Sequence, residues 1–285
     1  MSKPLFIWAG GKNKMLKHYL SIMPEKVETY VEPFFGGGAM FIHIVENYKP
    51  KNLIINDVNK DIIRIYNSIK NNLPEFLVKL DSYCSIYLPM NKEDRKKYYF
   101  EVRYEHAYDY EKWSEAEEAA TLYFLMKTGF NGIFQVNINT NGRYGTPAGL
   151  LNQKDSVYDL SVVKWWHEAL QNTKIMSGDW KDCLKQVPDV ENTFVFLDPP
   201  YRDSFTTYGQ VFGDDEQEKL LKYVKSRKLT SSFLCNRDAG DGWFEERIGD
   251  LKIDKFPVTY TAGRRKKTDE GFEAKPAIEV LIRNK

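Results

Sequence analysis

Thr193-Phe194-Val195-Phe196-Leu197-Asp198-Pro199-Pro200-Tyr201 is the stretch on which the reading of the fold turns. Thr193 and the four apolar residues after it predict a buried strand, and the strand stops at an acid. Two consecutive prolines then abolish two amide donors and stiffen the backbone, so the carbonyl before each proline is available to accept from a ligand. An acid and a carbonyl held side by side make two acceptors aimed at one NH₂ group. Tyr201 offers a flat face to a planar base. The bland alternative is a diproline turn that merely ends a strand.

The same grammar recurs on both sides. Tyr30-Val31-Glu32-Pro33 reads as a short strand running into glycines, with a helix over Ala39 to Val45. Asn52 to Asp57 is a second buried strand ending in an acid, and Ile62, Ile65, Tyr66 and Ile69 then fall at helical spacing. Further along, Lys174-Ile175-Met176 leads into Ser177-Gly178-Asp179, Asp215 to Lys225 reads as a helix, and Ser232 to Cys235 and Ile278 to Ile282 are strands. Strands with polar ends alternating with helices predict an α/β, doubly wound sheet whose ligands sit at the carboxyl ends of the strands. Residues 61–156 break the alternation. Glu115 to Lys127 is a helix, and Gly129 to Gly149, rich in Asn and Gly, reads as a loop or hairpin too polar for the core. The expected division is one α/β domain over 1–60 and 157–285, with a mainly helical insertion over 61–156.

Composition narrows the function classes. With 285 residues, 42% hydrophobic and 14% aromatic, the chain suits one large domain carrying an insertion. Its net charge of +1 announces no global affinity for nucleic acid, so any such face must be a local patch. Three scattered cysteines, Cys84, Cys183 and Cys235, argue against a disulfide framework or a zinc site and fit a reducing cytosol. No run of about 18 apolar residues predicts a membrane span. The start of the chain lacks the apolar core of a signal peptide.

Two glycine turns add to the motif. Pro33-Phe34-Phe35-Gly36-Gly37-Gly38 lies between a strand and a helix, where glycines let backbone approach a ligand. It is neither a GxGxxG fingerprint nor a Walker loop, which disfavours a phosphate site. With Asp57 at the next strand end, it suits a nucleoside without phosphates, the acid bonding a ribose hydroxyl or an amine. Trp8-Ala9-Gly10-Gly11-Lys12 is a second turn, beside an aromatic and a cation. Asp179 can accept from an adenine amine or simply cap a helix. For Asp198-Pro199-Pro200-Tyr201 the chemistry follows from its two acceptors. An exocyclic adenine amine is a poor nucleophile because its lone pair is delocalised. Acceptors on both hydrogens favour a pyramidal nitrogen and stabilise the charge that develops as it attacks a sulfonium methyl in line. A base within a duplex reaches such a pocket only by flipping out.

Taken in order, Trp8 to Lys12, Glu32 to Gly38, Asn56-Asp57 and Asp198 to Tyr201 resemble the Dam-type DNA adenine N6-methyltransferases of the D12 class. Gly129-Phe130-Asn131-Gly132, Cys235-Asn236-Arg237-Asp238 and Arg265-Lys266-Lys267 look like the same family, so the likeness spans nearly the whole chain. The resemblance implies a Rossmann-like S-adenosyl-L-methionine-dependent domain, without a metal, carrying an inserted DNA-recognition subdomain. It implies that Trp8, Lys12, Asp57 and Asp198 contact the methyl donor and that Phe34, Phe35, Gly36 and Gly38 line its site. Asp179 lies near the donor's adenine, and Asp198, Pro199, Pro200 and Tyr201 hold the target adenine. The implied partner is double-stranded DNA, bound by a monomer or weak dimer in the cytoplasm of a bacterial cell or a phage-infected host, in protection, regulation or restriction-modification.

One position departs from the GATC-methylating members. They carry a guanine-reading basic residue three places after the Asn-Gly of the recognition loop, where this chain has Gln135. Gln suits adenine, and Arg suits guanine. Arg143 can substitute, or the recognised site can differ. Asn131, Gln135, Asn137 and Arg143 are the expected base-proximal residues, although Asn137 to Asn141 is equally a hairpin tip. Arg264, Arg265, Lys266 and Lys267 form the densest basic cluster and are expected on DNA phosphates, with Lys92 to Lys97 adding to that face, unless these are solvated loops. Two other readings stay open: a methyltransferase for RNA adenine, cytosine N4 or a protein amide, and a non-catalytic DNA-binding relative.

Overall fold

A computed structural model describes residues 2–8, 10–202, 212–260, 266–268, 271–273 and 275–285. Its strands are β1 (Thr29–Glu32), β2 (Asn52–Asp57), β3 (Thr173–Ser177), β4 (Thr193–Leu197), β5 (Ser231–Asp238), β6 (Lys252–Tyr260), β7 (Lys266–Thr268), β8 (Gly271–Glu273) and β9 (Lys275–Arg283). Its helices are α1 (Leu16–Tyr19), α2 (Ala39–Tyr48), α3 (Lys60–Asn71), α4 (Leu73–Tyr87), α5 (Lys92–Tyr108), α6 (Glu115–Thr128), α7 (Leu160–Leu170), α8 (Trp180–Leu184) and α9 (Asp214–Ser226). Seven strands form one sheet in the order β3-β2-β1-β4-β5-β9-β6, and β7 and β8 pair separately. The pairs β3/β2, β2/β1, β1/β4 and β4/β5 are parallel; β9 is antiparallel to both neighbours.

The sheet is covered on both faces, and β4 shows why its sequence is an unbroken apolar run. Phe194 and Phe196 face a core layer that includes Tyr30, Phe41, Phe233 and Trp166. Val195 and Leu197 face the opposite layer, with Val31, Leu184, Leu220 and Leu234. All five β4 residues are buried. The chain runs outward from β1 through β2 to β3, then returns to start β4 on the other side of β1. A topological switch therefore lies between β1 and β4, where ligands of doubly wound sheets bind. Glu32-Pro33 and Asp198-Pro199 both open onto it.

Between β2 and β3 stand α3 to α6 and the segment leading to α7. Helix α6 starts at a capping box of Ser114 and Glu117 and is buried along most of its length. It packs against α3, α4 and α5, while α3 also packs against β2 and β3. Helix α3 thus packs on both the sheet and the helices that follow it.

The strands read at 52–57 and 193–197 coincide with β2 and β4. The first strand ends at Glu32, because Pro33 has no amide for the ladder. Segment 129–149 is held by isolated bridges and short turns, as a loop or hairpin should be. It is not wholly outside the core, however: Phe134, Thr140, Tyr144 and Thr146 are buried.

Candidate active site at the carboxyl edge of the sheet

A cavity of about 790 Å³ opens over the switch point, within the range of small-ligand sites. Trp8, Lys12, Phe34, Phe35, Gly36, Gly38, Asp57, Asp179, Asp198, Pro199, Pro200 and Tyr201 all line it. Residues almost two hundred positions apart in sequence therefore share one wall.

The glycine turn is built around aromatic rings. Gly36 has φ +49°, and a Cβ there would lie 2.6 Å from the Trp8 indole, so only glycine fits beneath that ring. Tyr66 donates its hydroxyl proton to the Gly36 carbonyl at 2.9 Å. Phe35 points down into the core, edge-on to Tyr66 and Phe41, whereas Phe34 stays half-buried beside Trp180 and Phe212. The two phenylalanines thus divide the work: Phe35 anchors the turn, and Phe34 offers apolar surface to the cavity.

Asp57 ends β2 with both carboxylate oxygens engaged: Gly36 N–H donates to Oδ2 at 2.8 Å and Asn59 N–H to Oδ1 at 2.9 Å. Burial pushes its pKa up to about 6, against the pull of these backbone donors. Asp179 accepts from Lys181 N–H at 2.8 Å as the N-cap of α8, while remaining at the cavity wall. Capping and lining are compatible roles for one carboxylate.

At the motif itself, Lys12 Nζ donates to Asp198 Oδ2 at 2.7 Å and to the Gly10 carbonyl at 2.7 Å, and lies 5.0 Å from the Tyr201 ring centre. Burial works against the Lys12 charge, but Asp198, Cys235 and Glu279 outweigh it and keep the pKa raised. Burial raises Asp198 too, with Lys12 opposing. Glu32, buried beneath them, accepts from the Tyr30 hydroxyl at 2.8 Å. Burial, with Asp198 and Asp57 adding, pushes the Glu32 carboxyl far above the usual range.

Several supports carried no role in the sequence reading. Asn56 Nδ2 donates to the carbonyls of Pro33 and Gly178, both at 3.0 Å, and ties two cavity loops together. Gln217 Nε2 donates to the Pro200 carbonyl at 2.8 Å, and Asn236 Nδ2 donates to Gln217 Oε1 at 3.0 Å. Tyr201 donates its hydroxyl proton to Glu279 at 2.6 Å. Arg202, next to Tyr201, is paired with Asp214 and Asp241 and lies over Trp243. Gln217 was detectable in principle, since it lies on the face of α9 that carries Leu220, Leu221 and Val224.

Among the described residues, Asn131, Gln135, Asn137 and Arg143 lie apart from the cavity lining. Asn131 and Gln135 are exposed on segment 129–149. The Asn137 side chain accepts from Asn139 N–H, so it shapes the turn it was expected to project from. Arg143 is turned inward, against the expectation that it reads a base. Its guanidinium pairs with Glu118, approaches His106 Nε2 at 3.3 Å and stacks on Tyr110. Lys92 to Lys97 starts α5 and is not a uniform basic face: Arg95 is buried and donates to the carbonyls of Tyr87, Leu88, Leu151 and Gln153. Arg264 and Arg265 lie outside the described residues. Lys266 and Lys267 fall on β7, but their side chains lie outside the described part.

Comparison with known proteins gives the site a context. A family model described as D12 class N6 adenine-specific DNA methyltransferase matches residues 8–246. Type II methyltransferase M.MjaIII of Methanocaldococcus jannaschii is 32% identical over 99% of this chain and 99% of its own length. Type II methyltransferase M1.LlaDCHI of Lactococcus lactis subsp. cremoris is 31% identical, over 92% of this chain and 90% of its own. The DNA adenine methylase of Escherichia coli K12 is 25% identical, over 92% and 91%.

Proposed function

The chain belongs to the D12 class of N6 adenine-specific DNA methyltransferases, and from that premise we propose how its residues divide the reaction. It methylates adenine in DNA with S-adenosyl-L-methionine as donor. The donor set fits that molecule: carboxylates of Asp57 and Asp179 suit ribose hydroxyls and an adenine amine, Phe34 suits a flat ring, and the surplus of acids over Lys12 suits a cation. When bound, S-adenosyl-L-methionine supplies an electrophilic methyl group on a sulfonium sulfur.

The observation that carries the assignment is Asp198, fixed at the end of a fully buried strand and followed by two prolines at the cavity wall. Lys12 engages Oδ2, which leaves Oδ1 to accept from the target amine. The Pro199 carbonyl accepts the second amine hydrogen, and the Tyr201 ring stacks on the base. The methyl–sulfur bond would break as the N6–methyl bond forms, leaving its electron pair on a neutral thioether, and Asp198, whose burial holds its carboxyl above the usual range, would take the amine proton through its hydrogen bond. A base inside a duplex cannot reach this wall, so the target is a flipped-out adenine in double-stranded DNA.

Residues 61–156 serve as the recognition subdomain, with Asn131 and Gln135 on its exposed segment. Gln135 favours adenine, not guanine, at the base it reads. Labelled methyl transfer to duplex DNA, followed by sequencing of the methylated adenines, tests activity and specificity together. Transfer to no duplex, or to RNA in preference to DNA under competition, overturns the assignment.

A further inference from the structure

We infer that Glu279, on β9, is the positioning residue that fixes the place of the Tyr201 ring and with it the stacking face for the target adenine. The inference rests on the assignment of Tyr201 as that face. Two contacts hold the two ends of this tyrosine. Its backbone follows two prolines, and the Pro200 carbonyl is held by Gln217. Its far end is held by the 2.6 Å hydrogen bond from the phenol to Glu279. With the backbone fixed, the ring can still swing about the Cα–Cβ bond, and a bond at the para oxygen, the atom that this swing moves farthest, is the contact that stops it.

Packing alone does not call for an acid there. Glu279 is 3% exposed and is followed in β9 by Val280, Leu281 and Ile282, all fully buried. Both faces of this strand serve as core, Leu281 on one side and Val280 and Ile282 on the other. A carboxylate in such a strand is costly unless it is bonded, and here it is bonded to the ring beside the reacting amine. Glu279 touches no reacting atom in this scheme. It acts through Tyr201.

The test uses five variants of the full chain, compared at equal folded fraction, on two duplexes carrying the methylated site: one with adenine at the target position, for transfer, and one with 2-aminopurine there, for fluorescence. E279A is expected to slow single-turnover transfer roughly tenfold to a hundredfold through misplacement of the base, with donor affinity unchanged. The flipped 2-aminopurine should fluoresce more strongly, because its stacking is loosened. Y201F, which keeps the ring and loses the anchor, should show the same two changes, and the Y201F/E279A double variant should be no slower than either single one. E279Q restores an accepting oxygen and should recover most of the loss. If E279A does not fold, Y201F still carries the expectation. Parent-like rate and fluorescence in Y201F or E279A overturn the inference, as do losses that multiply in the double variant. Y201A separates the two levels: a slow Y201A beside a parent-like E279A sinks only the role of Glu279, whereas a parent-like Y201A sinks the stacking assignment itself.

Discussion

The carboxyl edge of the sheet and segment 129–149 are arranged on opposite principles. At the edge, functional groups are already bonded to protein: Lys12 to Asp198, Gly36 to Asp57, Gln217 to Pro200 and Tyr201 to Glu279. In segment 129–149 the support is buried and the outward side chains are not. Tyr99 and Arg103 bond the carbonyls of Gly145 and Thr146, and Thr146 bonds the Ile133 carbonyl. Phe130, Ile133, Gln135 and Ile138 face outward, Ile138 at 89% exposure. An apolar side chain left that exposed in a well-bonded turn is suited to a partner, and in the proposed assignment that partner is DNA. The contrast separates two tasks. Stabilising a transition state needs groups that do not reorganise during reaction, whereas reading a sequence needs side chains that meet the base edges.

The sharpest break in that comparison is D198A. It removes an acceptor for the developing charge and should lower single-turnover transfer by about a thousandfold, measured with labelled methyl donor. DNA affinity, assigned in the proposal to the other region, should stay within a few-fold of the parent. A D198A variant with near-parent turnover defeats the catalytic assignment. Equal losses of turnover and DNA affinity defeat the separation of the two regions.

That separation also governs what could be read before the structure. β2 and β4 were legible because strands buried on both faces leave unbroken apolar runs. The cavity wall was legible because its backbone demands, glycine beneath Trp8 and proline after Asp198, restrict the residue types. Helices α4 and α5 were not resolved individually. α5 has a weak apolar stripe, with Tyr99, Val102 and Ala107 buried among charged residues. Strand β6, Lys252-Ile253-Asp254-Lys255 onward, lies at the sheet edge, where polar residues are tolerated. The inward turn of Arg143 was invisible for a different reason: an arginine in a polar loop looks the same whether it faces solvent or a buried acid. Its partner Glu118 lies 25 positions away, inside a helix read from its apolar spacing. Glu279 was passed over likewise, as a polar residue within an apolar strand.

Q135R sharpens the specificity side. An arginine at this exposed position offers the bidentate pattern for guanine O6 and N7, and a single such pair is worth roughly 1–3 kcal/mol of base discrimination. Sequencing of methylated adenines should show preference at one base position shifting towards guanine by up to about a hundredfold, with the methylated adenine unchanged. An unaltered site profile removes Gln135 from the reading face.

A smaller effect tests whether the segment depends on its buried support. Glu118 joins Arg64, at 3.1 Å, to Arg143. Burial, reinforced by Arg143 and Arg64, lowers the His106 pKa to about 3, so the imidazole stays neutral beside the two guanidiniums and Glu118 is the charge that offsets them. E118Q should loosen the Arg143 end of the turn and raise KM for DNA about tenfold, the order expected for a charged hydrogen bond, while kcat and donor affinity hold. A fall in kcat at unchanged KM would place Glu118 with the chemistry instead.

The smallest expected effect belongs to Asp57, and its sign separates two roles for one carboxyl. Burial raises its pKa to about 6, above the ordinary aspartate value near 3.9 that holds in the unfolded chain. Between those two values the folded protein binds the extra proton, so stability of the free protein falls as pH rises from about 4 to about 6 and is level above that. Donor binding runs the other way if ribose hydroxyls donate to the ionised carboxylate. Half of that form is lost at the pKa, so donor affinity should drop about twofold between pH 7.5 and 6 and more steeply below. Calorimetric titration of S-adenosyl-L-methionine across this range should show the decline, and melting without donor should show the opposite trend. D57N cannot titrate, so it should flatten both profiles around a weaker affinity. A decline that persists in D57N assigns the proton to another group in the cavity and leaves Asp57 as a brace for the Gly36 turn.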